Sequence, residues 1–445
     1  MSKILIGRGD TDLDYPICRP SLDLDFTQEV LDPRITFSRG GSVSTRVNRN
    51  RLIETVSANQ PRFDYDPVTG ECKGLLIEES RSNSWTYSGQ NVTTNWGTGG
   101  GGTLSFDNTQ IAPDGSTNVV KFTENTSFTS GRNFSQTISV TSGTSYTFSI
   151  FVKQPTGSPL RYPGILFPPA AFTTAQIVSF DPVSGAILYN PYNNTAFVQK
   201  YPNGWWKFSA TATATTTTSG SFQIRFTNSM SSSANPPYGY GGPFGNYTGD
   251  GSSYLYFFGP QVEQGAFPTS YIPTTASTVT RTADLASITG TNFSSWYNSS
   301  EGTLYASAAP STNAAYTGWI YLLGTDFNNG ISFYRQLDYQ PVIRIRSNVR
   351  DEYNKVIGAI GFGQIWRNAI TLKSAFGFKT NDFNSCVSGF FQNTSRALSG
   401  TLPTFTGPLW LGGLNDGTQK LNGTISRLTY YPRRLKDFQL SLLTQ

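Results

Sequence analysis

The segment Phe134-Ser135-Gln136-Thr137-Ile138-Ser139-Val140 alternates apolar and polar side chains, and Tyr146-Thr147-Phe148-Ser149-Ile150 repeats the pattern. Only an extended strand puts every second residue on one face, so both segments are strands with one face in a core. The intervening turn, residues 141–145, predicts that they pair as an antiparallel hairpin. Further strands are expected at Ile177–Phe180, Trp206–Ala212, Phe222–Phe226 and Tyr254–Phe258, each flanked by Gly, Pro, Asn or Asp. Charged residues are 14% of the chain, well below the roughly 25% of an average globular protein. Ser, Thr, Asn and 44 Gly stand in their place, and all are poor helix formers. With 8 Trp, 23 Tyr and 31 Phe the chain has ample material for packed cores, which argues against a disordered low-complexity sequence. The fold class is all-β.

At 445 residues the chain divides into more than one domain. Pro16, Pro20, Pro33 and Pro61 punctuate its first part, and Leu75-Leu76-Ile77 is a short buried strand. Residues 1–83 are expected to form an extended arm that cannot bury a core alone and lies against a neighbouring subunit or another protein. Residues 84–275 are expected as one β-sandwich and 276–300, rich in Thr, Ser and Asn, as a linker. A second sandwich over 301–445 follows, with strands at Gly302–Ala306, Trp319–Leu323, Gly330–Tyr334, Val342–Ser347, Ile370–Phe378, Val387–Phe391, Leu409–Leu411 and Gly423–Tyr431. A short C-terminal helix is expected over Leu435–Leu443, beyond Pro432.

The net charge of +5 is modest, and apart from Arg46–Arg51 and Arg433–Lys436 the cations are scattered. No basic stripe with positioned aromatics suits nucleic acid. Cys18, Cys72 and Cys386 lie too far apart for a disulfide framework or a metal-ligand spacing. No apolar segment matches a signal peptide or a membrane span, so the expected site of synthesis is a reducing cytoplasm.

The chain contains no histidine. It therefore has no imidazole general base, no Ser-His-Asp triad and no His-ligated metal. A glycosidase pair needs only two carboxylates, for which Glu78, Glu79, Glu124, Glu263 and Glu301 are the candidates, though most sit at element ends where surface solvation explains them. The expectation is a protein that is not an enzyme. Sugar binding asks for exposed aromatic faces beside fixed hydrogen-bonding groups. In Trp205-Trp206-Lys207-Phe208-Ser209-Ala210, strand parity puts Trp206 with Phe208 in the core and Trp205 with Lys207 on the more exposed face. Trp205, Trp96, Tyr238, Tyr240 and Trp319 are the candidate ligand-binding aromatics. No cofactor is required; a structural calcium ion is the one conceivable addition, with the turn carboxylates Asp114, Asp181 and Asp250 as its candidate ligands.

The segments Asp64–Glu71 and Gly74–Asn83 resemble a motif of bacteriophage tail-fibre and other virion proteins. Ala112–Ser116, Tyr247–Gly251, Gly259–Gly265 and Thr269–Thr274 continue it and bracket a domain similar to carbohydrate-binding modules of jelly-roll fold. Ala375–Phe383, Ser399–Pro403 and Gly423–Leu435 resemble the concanavalin/laminin-G-like domain found behind that module, whereas the insert Pro236–Gly245 departs from the pattern. The resemblance implies two tandem jelly-roll-type sandwiches, homotrimerisation, attachment to other virion proteins through residues 1–83, and contact with a host surface glycan. It implies neither nucleic acid nor membrane as partner. A capsid decoration or head-fibre protein without glycan binding is the alternative, and a glycan hydrolase a third reading.

Overall fold

The structure is a computed structural model that describes residues 18–89, 95–129, 132–228, 247–311, 317–326, 329–335, 341–346, 356–359, 371–391, 402, 406–414 and 416–445. It is all-β, as the alternation implies: two antiparallel sandwiches, with three short α-helices among the described residues.

Residues 97–264 supply both sheets of the first sandwich. One sheet runs Thr195–Lys200, Trp205–Thr213, Ser145–Lys153, Tyr254–Gln264, Val120–Glu124, Gly102–Phe106. The other runs Ile187–Tyr189, Gln176–Phe180, Tyr162–Phe167, Thr218–Thr227, Asn133–Val140, Gly97–Gly99. Asn133–Val140 and Ser145–Lys153 are both strands, but they do not form the expected hairpin. The first pairs with Thr218–Thr227 and the second with Trp205–Thr213, so the turn at 141–145 crosses from one sheet to the other. The cause is the shared core: Phe134 and Ile138 face Phe148 and Ile150 across the sandwich, which a hairpin in one layer would not allow. Trp85 fills the centre, stacked on Phe148 with centroids 5.2 Å apart and meeting Trp96 edge-on at 5.7 Å. Each such buried ring is worth roughly 1.5–3 kcal/mol of transfer free energy.

The second sandwich is not the product of the C-terminal residues alone. Its central strand Gly423–Tyr431 pairs with Glu301–Pro310, and also with Leu22–Asp25 and Cys72–Ile77 from the N-terminal region. Thr36–Ser38 joins its opposite sheet beside Leu285–Ile288. Leu22, Leu24, Phe26, Leu75 and Ile77 therefore complete the same core as Leu304, Phe376 and Ile425. Gly74 allows the close approach, since a Cβ there would lie 2.2 Å from the Ile425 carbonyl oxygen. The expected free arm is thus corrected for residues 18–83, which are structural parts of a sandwich, because their alternating Leu and Phe side chains find a core within their own chain. The expected linker is corrected as well. It holds a strand at Leu285–Ile288 and a helix at Gly290–Ser294, and buries Phe293 and Trp296.

Arg81–Asn83 pairs with Val279–Arg281. The chain leaves the second sandwich and returns to it at this two-stranded neck, so the first sandwich is inserted into the second. The C-terminal helix falls at Asp437–Thr444, close to its expected place. No helix among the described residues is long and apolar enough to cross a membrane.

Below the neck lies a buried ion network. Asp284 accepts from Arg39 Nε at 2.8 Å, Arg62 Nη2 at 2.5 Å and the Glu78 backbone N–H at 2.9 Å. Glu78 in turn accepts from Arg62, Arg281 and the Ser270 backbone and hydroxyl. Burial alone would raise the pKa of the Glu78 carboxyl, but the Arg281 and Arg62 guanidiniums and the Ser270 hydroxyl outweigh it and hold it well below the usual carboxylate range. Truncating one partner of such a set strands the others in a dry interior, at a cost of about 3–5 kcal/mol. Asp284→Ala is therefore expected to lose about that much stability in urea denaturation. The pH dependence has a definite sign. A carboxyl whose pKa falls on folding contributes fully above its unfolded pKa and loses that contribution as pH drops toward the folded value. The junction should hold through mildly acid solution and give way only in strong acid, and Glu78→Gln should flatten that part of the stability profile.

Candidate functional site

Parity along Trp205–Thr213 holds as the sequence implies: Phe208, Ala210 and Ala212 enter the inner core while Trp205, Lys207 and Ser209 share the outer face. What the sequence does not reveal is that this outer face has its own cover. The N-terminal strands Ser44–Val47, Ile53–Val56 and Phe63–Tyr65 lie against it, so that Val47, Ile53 and Tyr65 cluster with Phe151, Tyr201, Trp205 and Tyr271. Trp205 is 1% exposed, and its Nε1–H donates to the Ile111 carbonyl at 2.9 Å. Trp206, on the opposite face, is only half-buried at the sandwich edge, its ring parallel to Phe208 and closely covered by Gly185. The relative exposure of the two is the reverse of the expectation.

Beside this cluster the two sandwiches leave a cleft of about 460 Å³, within the roughly 300–1,000 Å³ of small-molecule sites. Its floor is Lys207 and Ser209, with Phe197 and Gln199 on the adjoining edge strand. Thr269 and Ser270 form one wall, Arg46, Asp64 and Lys73 another, and Ala309–Ser311 with Thr424 close it from the second sandwich. Phe197 is half-buried against Phe267 and offers an apolar surface beside hydroxyl, amide and charged groups. That combination suits a sugar ring, whose C–H face packs on an aromatic while its hydroxyls need fixed partners. The wall charges are mostly neutralised in place: Arg46 pairs with Glu54 at 2.6 Å and Lys73 with Asp64 at 2.8 Å. Asp64 also accepts the Val47 backbone N–H, and Glu78 belongs to the buried network.

The other candidates fall elsewhere. Trp96 lies inside the first sandwich, 4% exposed and stacked on Phe134. Trp319 is 2% exposed, stacked on Tyr334, and its Nε1–H donates to Gln419 Oε1 at 2.6 Å. Neither offers a free face, because each fills a core that its flanking turn residues do not announce. Tyr238 and Tyr240 lie outside the described residues. Asp114, Asp181 and Asp250 sit in separate loops and serve their own turns: Asp114 accepts the Ser116 N–H, Asp181 the Val183 N–H, and Asp250 the Ser252 and Ser253 N–H groups. Asp250 additionally meets Arg161 at 3.1 Å. No group of three or more His, Cys, Asp or Glu that could hold a metal occurs among the described residues. Of the carboxylates expected to be solvated, Glu78, Glu124 and Glu263 are at most 3% exposed. Glu124 is held by Arg161 and the Tyr247 hydroxyl, Glu263 by Thr269 and Gln261.

Residues 79–165 match a family of carbohydrate binding domains; they comprise the neck strand and the first half of the inserted sandwich. That part of the jelly-roll-type sandwich is thus similar to a carbohydrate-binding domain. Among solved structures it is similar to the Ruminococcus gnavus IT-sialidase CBM40 bound to α2,6 sialyllactose, at 18% identity and a TM-score of 0.28, over 33% of this chain and 85% of that one. It is also similar to the binding domain of Botulinum neurotoxin DC in complex with rat synaptotagmin II, at 12% identity and a TM-score of 0.28, over 36% of this chain and 40% of that one. A third similar structure is the K499G mutant of NanB sialidase from Streptococcus pneumoniae, at 17% identity and a TM-score of 0.28, over 36% of this chain and 26% of that one. No curated protein matches the chain.

Trp205→Ala is expected to lose about 3–5 kcal/mol of stability by calorimetry, as other buried Trp truncations do. A variant of unchanged stability would return Trp205 to the list of ligand-facing aromatics.

Proposed function

We propose that this chain is a non-enzymatic virion component of a bacteriophage, a tail-fibre or spike subunit that holds a surface saccharide in the cleft between its two sandwiches. The observation that carries this reading is the carbohydrate-binding match over residues 79–165, which falls on the sandwich that supplies the floor of the cleft. The motifs from Asp64 to Asn83 and beyond, similar to those of phage virion proteins, support the particle as its location. A binding role fits the electrostatics. A glycosidase acid must keep its proton near neutral pH, which takes a raised carboxyl pKa. Glu78, in the cleft wall, is instead held low by two arginines, and Asp64 is tied to Lys73.

Residues 18–83 are built into the second sandwich, so a virion contact through them would use their outward surface. Homotrimerisation belongs to this reading and predicts a solution mass near three times the 48.7 kDa of the chain. The alternative is a capsid decoration protein without glycan binding. Two measurements separate them. Calorimetric titration of the full chain with oligosaccharides of host envelopes should show saturable binding, and Phe197→Ala should weaken it about tenfold, or ~1.4 kcal/mol, for loss of the apolar platform. Cryo-electron microscopy of the particle should place the chain at the tail; density repeated over the capsid lattice, with no oligosaccharide bound, would leave the decoration reading.

A further inference from the structure

Three cations line the cleft, and two of them have counter-ions: Arg46 has Glu54 and Lys73 has Asp64. The third, Lys207, is 8% exposed and makes no ion pair among the described residues. Its ammonium donates to the Thr269 carbonyl at 2.8 Å, which leaves two of its three N–H groups to be satisfied. Glu263 and Glu78 act on it through space, but the oxygens of Glu263 accept from Gln261, the Thr269 backbone and the Thr269 hydroxyl, and those of Glu78 from Arg62, Arg281 and Ser270. Phe151 presents its ring 5.8 Å from Nζ on the other side. Burial disfavours the charged form and lowers the affinity of Lys207 for its proton.

The register of the sheet sets Lys207 beside polar and aromatic neighbours. Ser209 stands between Phe197 and Ser149 in the register of the sheet, and Lys207 between Gln199 and Phe151. Ser209 lines the cleft with Lys207, whereas Ser149, whose buried hydroxyl has no hydrogen-bond partner among the described residues, lies outside that lining. The Ser209 hydroxyl and a lysine in direct ion-pair contact with no carboxylate among the described residues thus line the cleft together, two residues apart along one strand, next to the half-buried Phe197. A buried donor set of this kind is costly when empty. An occupant bearing a carboxylate would supply a direct counter-ion to Lys207 and an acceptor for the Ser209 hydroxyl, while its ring lay against Phe197.

We infer that the cleft selects a carboxylate-bearing saccharide, and that Lys207 is the residue that reads the carboxylate. This rests on the cleft being the saccharide site. Uncharged sugars would gain hydrogen bonds from Lys207 without neutralising it, so discrimination should favour the acid. A charge-assisted hydrogen bond in a desolvated site is about twice as strong as a neutral one, and the expected preference is tenfold or more.

The test is calorimetric titration of the full chain with uronic-acid oligosaccharides, each beside its carboxyl-reduced neutral counterpart of the same linkage and length. The inference expects the acidic member of a pair to bind at least tenfold more tightly. Lys207→Met should remove that preference, so that the acidic and neutral members bind alike, and Lys207→Arg should retain part of it. If Lys207→Met fails to fold, the preference of the unmodified chain and its weakening with added salt still decide the matter. Equal binding of both members, or preference for the neutral one, would overturn the inference and leave the saccharide reading standing. Binding of neither would remove both.

Discussion

Asp284 holds the two halves of the second sandwich to one another and to the neck. Its carboxylate takes Arg39 and Arg62, which come from the N-terminal residues, while Asp284 itself belongs to the stretch that follows the inserted sandwich. It also accepts the backbone N–H of Glu78, and Glu78 takes Arg281 and Ser270. Segments separated by some two hundred residues are therefore fixed by one carboxylate. Each charge is nearly or fully buried, so none can turn to water if its partner leaves. Such a network adds little net stability over an apolar plug of the same shape, but it demands one arrangement of its members. The inserted sandwich hangs from that arrangement by two paired strands and not by a single flexible connection.

The strands themselves were legible because their side chains alternate. Leu409–Leu411 and Gly423–Tyr431 fall on the boundaries their apolar spacing suggests, and Ser145–Lys153 and Asn133–Val140 extend theirs by a few residues. Pairing was less legible. A turn of five residues serves equally for a hairpin and for a crossing between sheets, and only the position of the common core decides. The N-terminal region carries a local signal of its own: Leu22-Asp23-Leu24-Asp25 alternates, and the burial along that strand follows the alternation. Its prolines and turns suggested an irregular arm, yet a strand needs only a few residues when a ready-made edge awaits it.

The site was legible in parity and not in exposure. That Trp205 and Lys207 share a face follows from the period of a strand, and the structure agrees. Whether that face meets water depends on Ser44–Val47 and Ile53–Val56, some hundred and fifty residues earlier in the chain, and no local pattern encodes their arrival. The same reason hid Glu78, Glu124 and Glu263. A carboxylate beside turn residues is solvated on average, but each of these meets buried partners from distant segments: Arg62 and Arg281, Arg161, and Thr269.

The position of the cleft follows from insertion. An isolated sandwich would leave the face bearing Phe197, Lys207 and Ser209 open to solvent, where a lysine is freely hydrated and weakly selective. Setting that face against Thr45–Val47, Lys73 and Ala309–Ser311 converts it into a partly enclosed site with a low dielectric wall. Charge then counts for more, because the same ammonium at the same distance interacts several times more strongly once water is excluded. The ion network that fixes the neck also fixes the separation of the cleft walls, since Glu78 and Ser270 belong to both. The rigid junction and the cleft are thus one construction, in which the buried arginines set the separation of the walls around Lys207.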